Sequence, residues 1–241
     1  NMIDGSADKR KIWARVIESR VNTGLPYIFF TDNINNNTVD VYKDKGMKIT
    51  HSNLCSEIML PDSEDESFVC DLSSMNILYY DEWKDTDAVE VLTFFLDAVM
   101  SDFIVQAKNV PFMERAVKFA ERHRALGIGW LGWHSYLQSR MIPFESMEAK
   151  LLNVQIAKNI NDAAWAASAK LATMFGEPEL LIGYGRRNTT LTAIAPTKSS
   201  AFILGQISEG IEAHRSNYYI KDLQKGKFSI KNSQLEQVLE E

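Results

Sequence analysis

The sequence predicts a fold that mixes long helices with short strands, and three observations carry that reading. The middle of the chain, from about residue 85 to 175, places apolar residues at helical spacing over long stretches. Short apolar or β-branched runs bracket it, at residues 26–30, 68–72 and 189–195. Hydrophobic residues make up 45% and charged residues 24% of the 241, enough apolar side chain for one large core or two small ones.

The first helix is predicted over residues 8–21, where Ile12, Trp13, Val16, Ile17 and Val21 form an apolar stripe and Gly24 follows as a stop. Residues 26–30 read as a short buried strand, and residues 33–37 as a polar loop of turn-formers. Leu54, Ile58, Met59 and Leu60 make residues 48–60 a partly buried extended segment or loop, ending at Pro61 before a solvated acidic run. Residues 68–72 are the next strand. Helices are expected over residues 85–105, 113–123, 125–138 and 146–175. The last is rich in alanine, which permits close packing, and Gly176 and Pro178 stop it. Residues 189–195 form a β-branched strand. Pro196-Thr197-Lys198-Ser199-Ser200 is a polar turn, and residues 201–204 begin a short helix. Strand, polar loop and helix start make a geometry that can hold an anion. No internal repeat, low-complexity linker or domain boundary is evident.

Charge and composition exclude several classes. The 32 acidic and 26 basic side chains leave a net charge of −6 and a pI near 5.4. That argues against a non-specific nucleic-acid binder, which needs a concentrated basic surface. No apolar run is long enough to span a bilayer, and Asn1-Met2-Ile3-Asp4-Gly5 lacks the regions of a signal peptide. Two cysteines, Cys55 and Cys70, cannot build a disulfide scaffold, so a reducing cytoplasm is expected. A chain that starts at Asn1 is expected to be a piece of a longer one.

Three patterns could carry chemistry. Gly127-Ile128-Gly129-Trp130-Leu131-Gly132 matches a dinucleotide fingerprint, but no strand precedes it and two tryptophans crowd it; close helix packing is the favoured reading. His51 and Cys55 are four apart, yet no further ligands stand at closed spacing, so no metal site is expected. Asn53, Cys55 and Glu57 would share one face of an extended segment, flanked by apolar Leu54 and Ile58. That row offers an amide to orient a hydroxyl, a thiol as nucleophile, reductant or radical carrier, and a carboxylate to take a proton. The alternative is a buried small cysteine between two exposed polar residues. With Cys70 and the 197–200 turn, the row suggests redox chemistry on a phosphorylated small molecule.

These residues resemble a known family. His51-Ser52-Asn53-Leu54-Cys55-Ser56-Glu57-Ile58 resembles the active-site finger loop of the class I ribonucleotide reductase large subunit, which carries N-x-C-x-E there. Phe68-Val69-Cys70-Asp71-Leu72-Ser73 resembles the strand bearing the downstream redox cysteine. Residues 122–129 resemble an internal helix junction of that family. Ala195-Pro196-Thr197-Lys198-Ser199-Ser200-Ala201, with Gly210-Ile211-Glu212, resembles its substrate-phosphate loop. The likeness runs from about Lys9 to Lys231.

The resemblance implies part of a ten-stranded α/β barrel, two five-stranded parallel halves with the cysteine loop threaded inside. Residues 1–241 would be a single fragment of that catalytic barrel domain. The N-terminal effector region, both barrel ends, the upstream redox cysteine and a C-terminal cysteine pair would lie outside it. Cys55 would carry a thiyl radical, Glu57 act as base and Asn53 orient the substrate. Cys70 would be redox-active, and Ser52, Thr197, Lys198, Ser199 and Ser200 would bind a ribonucleoside diphosphate. Tyr218 and Tyr219 follow the phosphate loop too closely to be the family's radical-transfer tyrosines and are expected to be structural. The chain itself would bind no metal or cofactor. Its radical would come from a metal-containing small subunit and its electrons from thioredoxin or glutaredoxin. The remaining large-subunit segments are implied partners, in a homo- or hetero-oligomer. A rival reading is an assembly fragment of a split reductase without activity of its own; an unrelated thiol-dependent transferase is a weaker one.

Overall fold

The computed structural model describes residues 5–223 and 226–240; the signal-peptide reading of the first residues falls largely outside them. Ten helices occur among the described residues. The first three are α1 (Ala7–Thr23), α2 (Thr31–Asn37) and α3 (Asp40–Asp44). The finger segment follows, and then strand β1 (Asp71–Asn76). Next come α4 (Tyr80–Trp83), α5 (Ala88–Ala107), α6 (Glu114–His123), strand β2 (Leu126–Leu131), α7 (Trp133–Gln138) and α8 (Met147–Phe175). The chain closes with α9 (Lys198–Ile203), the hairpin β3 (Tyr218–Leu223) and β4 (Gly226–Lys231), and α10 (Ser233–Glu240).

The centre is a parallel pair. β1 runs alongside β2 in register from Asp71↔Leu126 to Asn76↔Leu131. Every residue of β2 is buried, as expected for a parallel strand covered on both faces. Residues 190–193 continue the arrangement on its other side. Leu126 N–H donates to Thr190 O (3.0 Å), Ile128 N–H to Leu191 O (2.7 Å), and Ala193 N–H to Ile128 O (3.2 Å). The predicted strand at 189–195 is thus extended beside β2, with one parallel bridge at Ile128–Thr192. The described residues contain this arc and no closed sheet.

Three apolar clusters hold the parts. The largest joins α5, α6, β2, α7 and α8 through residues such as Leu96, Met100, Ile128 and Ile160. The second gathers Val41, Tyr42, Ile49, Ile58, Leu60, Phe119 and Leu181, and so anchors both ends of the finger segment. The third seats α9 by Ala201 against Leu131 and Ile207. A buried polar knot ties the layers: Asp97 of α5 accepts from Arg124 Nε (2.8 Å), Arg187 Nε (3.0 Å) and Asn188 Nδ2 (3.0 Å). Burial opposes ionisation of Asp97, but the two guanidinium groups outweigh it and hold the carboxyl below its ordinary range.

Several expectations are corrected. Residues 26–30 form no strand: Pro26 lacks an N–H, and no described strand pairs with the segment, whose Phe29 packs on the second cluster. Residues 33–37 are helical, not a loop. Asn35 and Asn37 donate to Thr31 O (2.8 Å) and Asn33 O (2.7 Å), and Asn35 also pairs with the Ile49 backbone (2.8 and 3.0 Å). Side chains that usually break helices are here satisfied by helix carbonyls and by a tertiary partner. The apolar stripe of α1 faces solvent, because no described element covers it; none of its residues is buried.

The helix expected over residues 125–138 is strand β2 followed by α7. Its glycines serve strand contact, not helix packing. A Cβ on Gly127 would stand 2.2 Å from Leu72 Cδ2, and one on Gly129 2.2 Å from the Ala193 carbonyl oxygen. Absent side chains at these two positions let β1 and residues 190–194 close on β2.

Candidate active site

The finger is built by its own backbone. Ile49, Ile58 and Leu60 are buried at its base. Asn53 N–H donates to Ile58 O (3.2 Å), and Ile58 N–H donates back to Asn53 Oδ1 (3.0 Å). Between them Ser56 N–H donates to Asn53 O (3.1 Å), and Ser56 takes a positive φ of 68°. The result corrects the extended row: residues 53–58 form a closed turn, because one Asn side chain satisfies the strand-like donor that a neighbouring strand would otherwise take. Leu54 is 87% exposed at the tip and flanks nothing apolar. Cys55 is exposed and free. Ser52 Oγ donates to the Asn53 carbonyl (3.0 Å). The Asn53 amide nitrogen has no hydrogen-bond partner among the described residues.

Two cavities meet at Glu57. One, of about 460 Å³, is lined by Cys55, Ser56 and Glu57 on one side and by residues 194–196 and 209–212 on the other. The second, of about 350 Å³, has Glu57 and Cys70 in its wall, with Asn33 and Asn37 of α2 and Thr190 and Thr192 opposite. Glu57 Oε2 is buried without a hydrogen-bond partner. A carboxylate oxygen so placed has unused acceptor capacity for a ligand hydroxyl.

Cys70 immediately precedes β1 and is half-buried. Burial, then the carboxylates of Asp71 and Glu57, push its thiol up to about 12, so it is protonated at neutral pH. It can give hydrogen to a ligand but is a poor nucleophile.

The 197–200 turn is ordered by Thr197, which takes a left-handed φ of 52° and accepts from Gly210 N–H at its Oγ1 (2.8 Å). Its hydroxyl therefore ties the turn to the 208–210 segment. Lys198, Ser199 and Ser200 open α9 and are exposed. They adjoin Pro196 in sequence, but the cleft wall at Cys55 stops at Pro196. Glu57 thus shares one cavity wall with Cys55 and another with Cys70, Asn53 and Ser52 shape the turn, and Ser199 and Ser200 line neither cavity. Sequence reasoning missed Asn33, Asn37, Thr190 and Thr192 as walls of the Cys70 cavity. No local signal marks them, since they meet Cys70 only through tertiary packing. Tyr218 and Tyr219 lie in the β3–β4 hairpin. No described helix is long and apolar enough to cross a membrane.

The family described as "Ribonucleotide reductase, barrel domain" matches residues 2–181 and 178–241. The ribonucleoside-diphosphate reductase large subunit of Invertebrate iridescent virus 3 is 40% identical over 233 residues, 96% of this chain and 36% of its own. That of Invertebrate iridescent virus 6 is 41% identical over 186 residues, 77% of this chain and 19% of its own. Among solved structures, the Actinobacillus ureae class Id ribonucleotide reductase alpha subunit superposes with a TM-score of 0.91 at 56% identity. The match covers 99% of this chain and 44% of that one. The chain spans less than half the length of these relatives. It belongs to the ribonucleotide reductase large-subunit family and lies within that family's α/β barrel domain.

Proposed function

We propose that this chain is the catalytic portion of a ribonucleoside-diphosphate reductase, converting ribonucleotides to deoxyribonucleotides by thiyl-radical chemistry. The observation that carries the reading is that Glu57 lines one cavity with Cys55 and a second with Cys70, the first facing the segment that leads into the 197–200 turn. A Cys55 thiyl removes the 3′-hydrogen of the ribose, and Glu57 takes the 3′-hydroxyl proton. The C2′–O bond then breaks and the oxygen leaves as water. Cys70 and a second thiol outside this chain supply two electrons and two protons, one proton to the departing oxygen and one to C2′, and become a disulfide; Glu57 returns its proton to the 3′-oxygen, and Cys55 returns its hydrogen to C3′. Asn53 and Ser52 orient the sugar. Thr197, Lys198, Ser199 and Ser200 hold the diphosphate through hydroxyls, backbone N–H groups and one cation.

The remaining large-subunit segments complete the barrel to ten strands and supply the effector region, the upstream redox thiol and the C-terminal pair. A metal-containing small subunit generates the radical, and thioredoxin or glutaredoxin reduces the disulfide, in a reducing cytoplasm and an oligomeric assembly. The segment alone is inactive in this reading. The test uses the full-length large subunit with its radical-generating subunit. Cys55→Ser abolishes deoxynucleotide formation while the ribonucleoside diphosphate still binds, because an alkoxyl radical is not accessible from serine. Measurable turnover by that variant removes Cys55 from the role.

A further inference from the structure

We propose that Lys221 is a positioning residue for the substrate-diphosphate turn; the inference rests on the phosphate-binding reading of residues 197–200. Lys221 lies on the covered face of the hairpin: Tyr218 and Ile220, on the other face of β3, are exposed, whereas Lys221 is only 8% exposed and Ile230 of β4 is buried. A lysine with its ammonium drawn under a neighbouring element needs partners there. It has two. Its Nζ donates to the Lys198 carbonyl oxygen (3.3 Å) at the first residue of α9, and it pairs with the Glu209 carboxylate. Glu209 directly precedes Gly210, whose N–H holds Thr197 Oγ1. One ammonium thus joins the two strands of backbone that define the turn.

The hairpin seats this contact in register. Phe228 is the cross-strand partner of Lys221 and packs on Phe202 of α9 at 4.9 Å between ring centroids. A cation and an aromatic ring, side by side on one face of the hairpin, therefore clamp α9. Lys221 does not reach the cleft at Cys55, whose wall is formed by residues 55–57, 194–196 and 209–212. Its effect on a diphosphate passes through Lys198 and Glu209.

The sign of two substitutions separates positioning from plain attraction. If Lys221 merely offset the charge of Glu209, Glu209→Gln would tighten diphosphate binding, because a negative charge near the anion is removed. If the pair holds the turn, Glu209→Gln weakens it, as does Lys221→Met. The assay is performed on the full-length large subunit with its radical-generating subunit. It measures KM and kcat for a ribonucleoside diphosphate, and the Kd of that diphosphate and of the parent ribonucleoside. Lys221→Met and Glu209→Gln are each expected to raise the diphosphate Kd and KM about tenfold. In Lys221→Met, kcat and ribonucleoside Kd stay within about threefold, and Lys221→Arg restores most of the loss. Unchanged diphosphate affinity in Lys221→Met, tighter binding in Glu209→Gln, or equal losses for diphosphate and ribonucleoside would each overturn the inference. Ser199→Ala with Ser200→Ala is the control. If that pair weakens diphosphate binding while Lys221→Met does not, the inference alone fails; if that pair leaves it unchanged, the phosphate-binding reading itself fails.

Discussion

Gly129→Ala places one carbon where the structure has a backbone oxygen. The new Cβ would stand 2.2 Å from Ala193 O and 3.2 Å from both Ala193 C and Ile194 Cα. Heavy atoms rest at roughly 3.5 Å, so backbone must move by about 1 Å. The Ala193 N–H to Ile128 O bond, already 3.2 Å, does not survive a retreat of that size. A lost hydrogen bond costs about 0.5–1.5 kcal/mol and overpacking about 1–3 kcal/mol. Reduced freedom of the unfolded chain returns about 0.4–1 kcal/mol. The net is a loss of about 1–4 kcal/mol, or roughly 3–12 °C in melting temperature for a domain of this size. Gly127→Ala provides the contrast, because its closest obstacle is the flexible tip of Leu72 at 2.2 Å. Rotation of that tip relieves the larger clash and leaves a smaller one, with Ala193 Cβ at 2.9 Å. Differential scanning calorimetry of the two variants in the full-length subunit should therefore rank Gly129→Ala below Gly127→Ala. Residue 193 lies three positions before Pro196, so turnover should fall further in Gly129→Ala, by up to about 100-fold for a displacement near 1 Å. Equal melting temperatures for Gly129→Ala and the parent protein would refute the close-approach argument.

Two further outcomes follow from the site. At pH 8 a thiol with a pKa of about 12 is ionised to roughly one part in 10⁴, against about one in ten for a thiol at the ordinary 9.0. Iodoacetamide should thus label Cys70 about 10³-fold more slowly than an ordinary thiol. Its rate should keep rising about tenfold per pH unit from 8 to 10, where an ordinary thiol levels off; a plateau near pH 9 would show that burial and the two carboxylates do not hold the proton. Replacing Ser199 and Ser200 together by alanine should raise the Kd of a ribonucleoside diphosphate at least about tenfold by calorimetric titration, leaving binding by backbone donors. Unchanged affinity with a lowered melting temperature would assign those hydroxyls to helix capping.

Local signals were readable wherever the local chain decides the outcome. Residues 146–175 carry a Ser cap, helical spacing and a Gly-x-Pro stop, and the helix runs Met147–Phe175 with Ser146 Oγ accepting from Ala149 N–H (3.1 Å). Residues 125–138 misled because Leu126, Ile128 and Trp130 are compatible with either period, and the preference for strand comes from β1 and residues 190–193 alongside. Residues 33–37 misled for a related reason. Asparagine is a turn-former until its amide finds a partner, and the partner of Asn35 is Ile49, 14 residues away. The arc of parallel strands was legible only through family likeness.

The site was legible as a set of residues and not as a geometry, and Asn53 shows why. Alternation along an extended chain puts Asn53, Cys55 and Glu57 in one row only if the backbone donors of residues 53–58 face a neighbouring strand. Here they face each other: the Asn53 side chain accepts from Ile58 N–H, and the two backbones close the turn. Cys55 is thereby lifted to an exposed tip, while Glu57 turns back toward Cys70 with one carboxylate oxygen buried. A row would have presented thiol and carboxylate to the same point of one surface. The turn instead sets Glu57 between two cavities, one holding each thiol in its wall. That separation suits two thiols with different tasks. An exposed thiol at a loop tip can meet a radical delivered from outside, and a buried, protonated one can give up hydrogen without being a standing nucleophile. The same amide that breaks the strand pattern therefore sets Cys55 and Cys70 in the walls of different cavities, and a period-two reading of residues 53–57 could not reveal it.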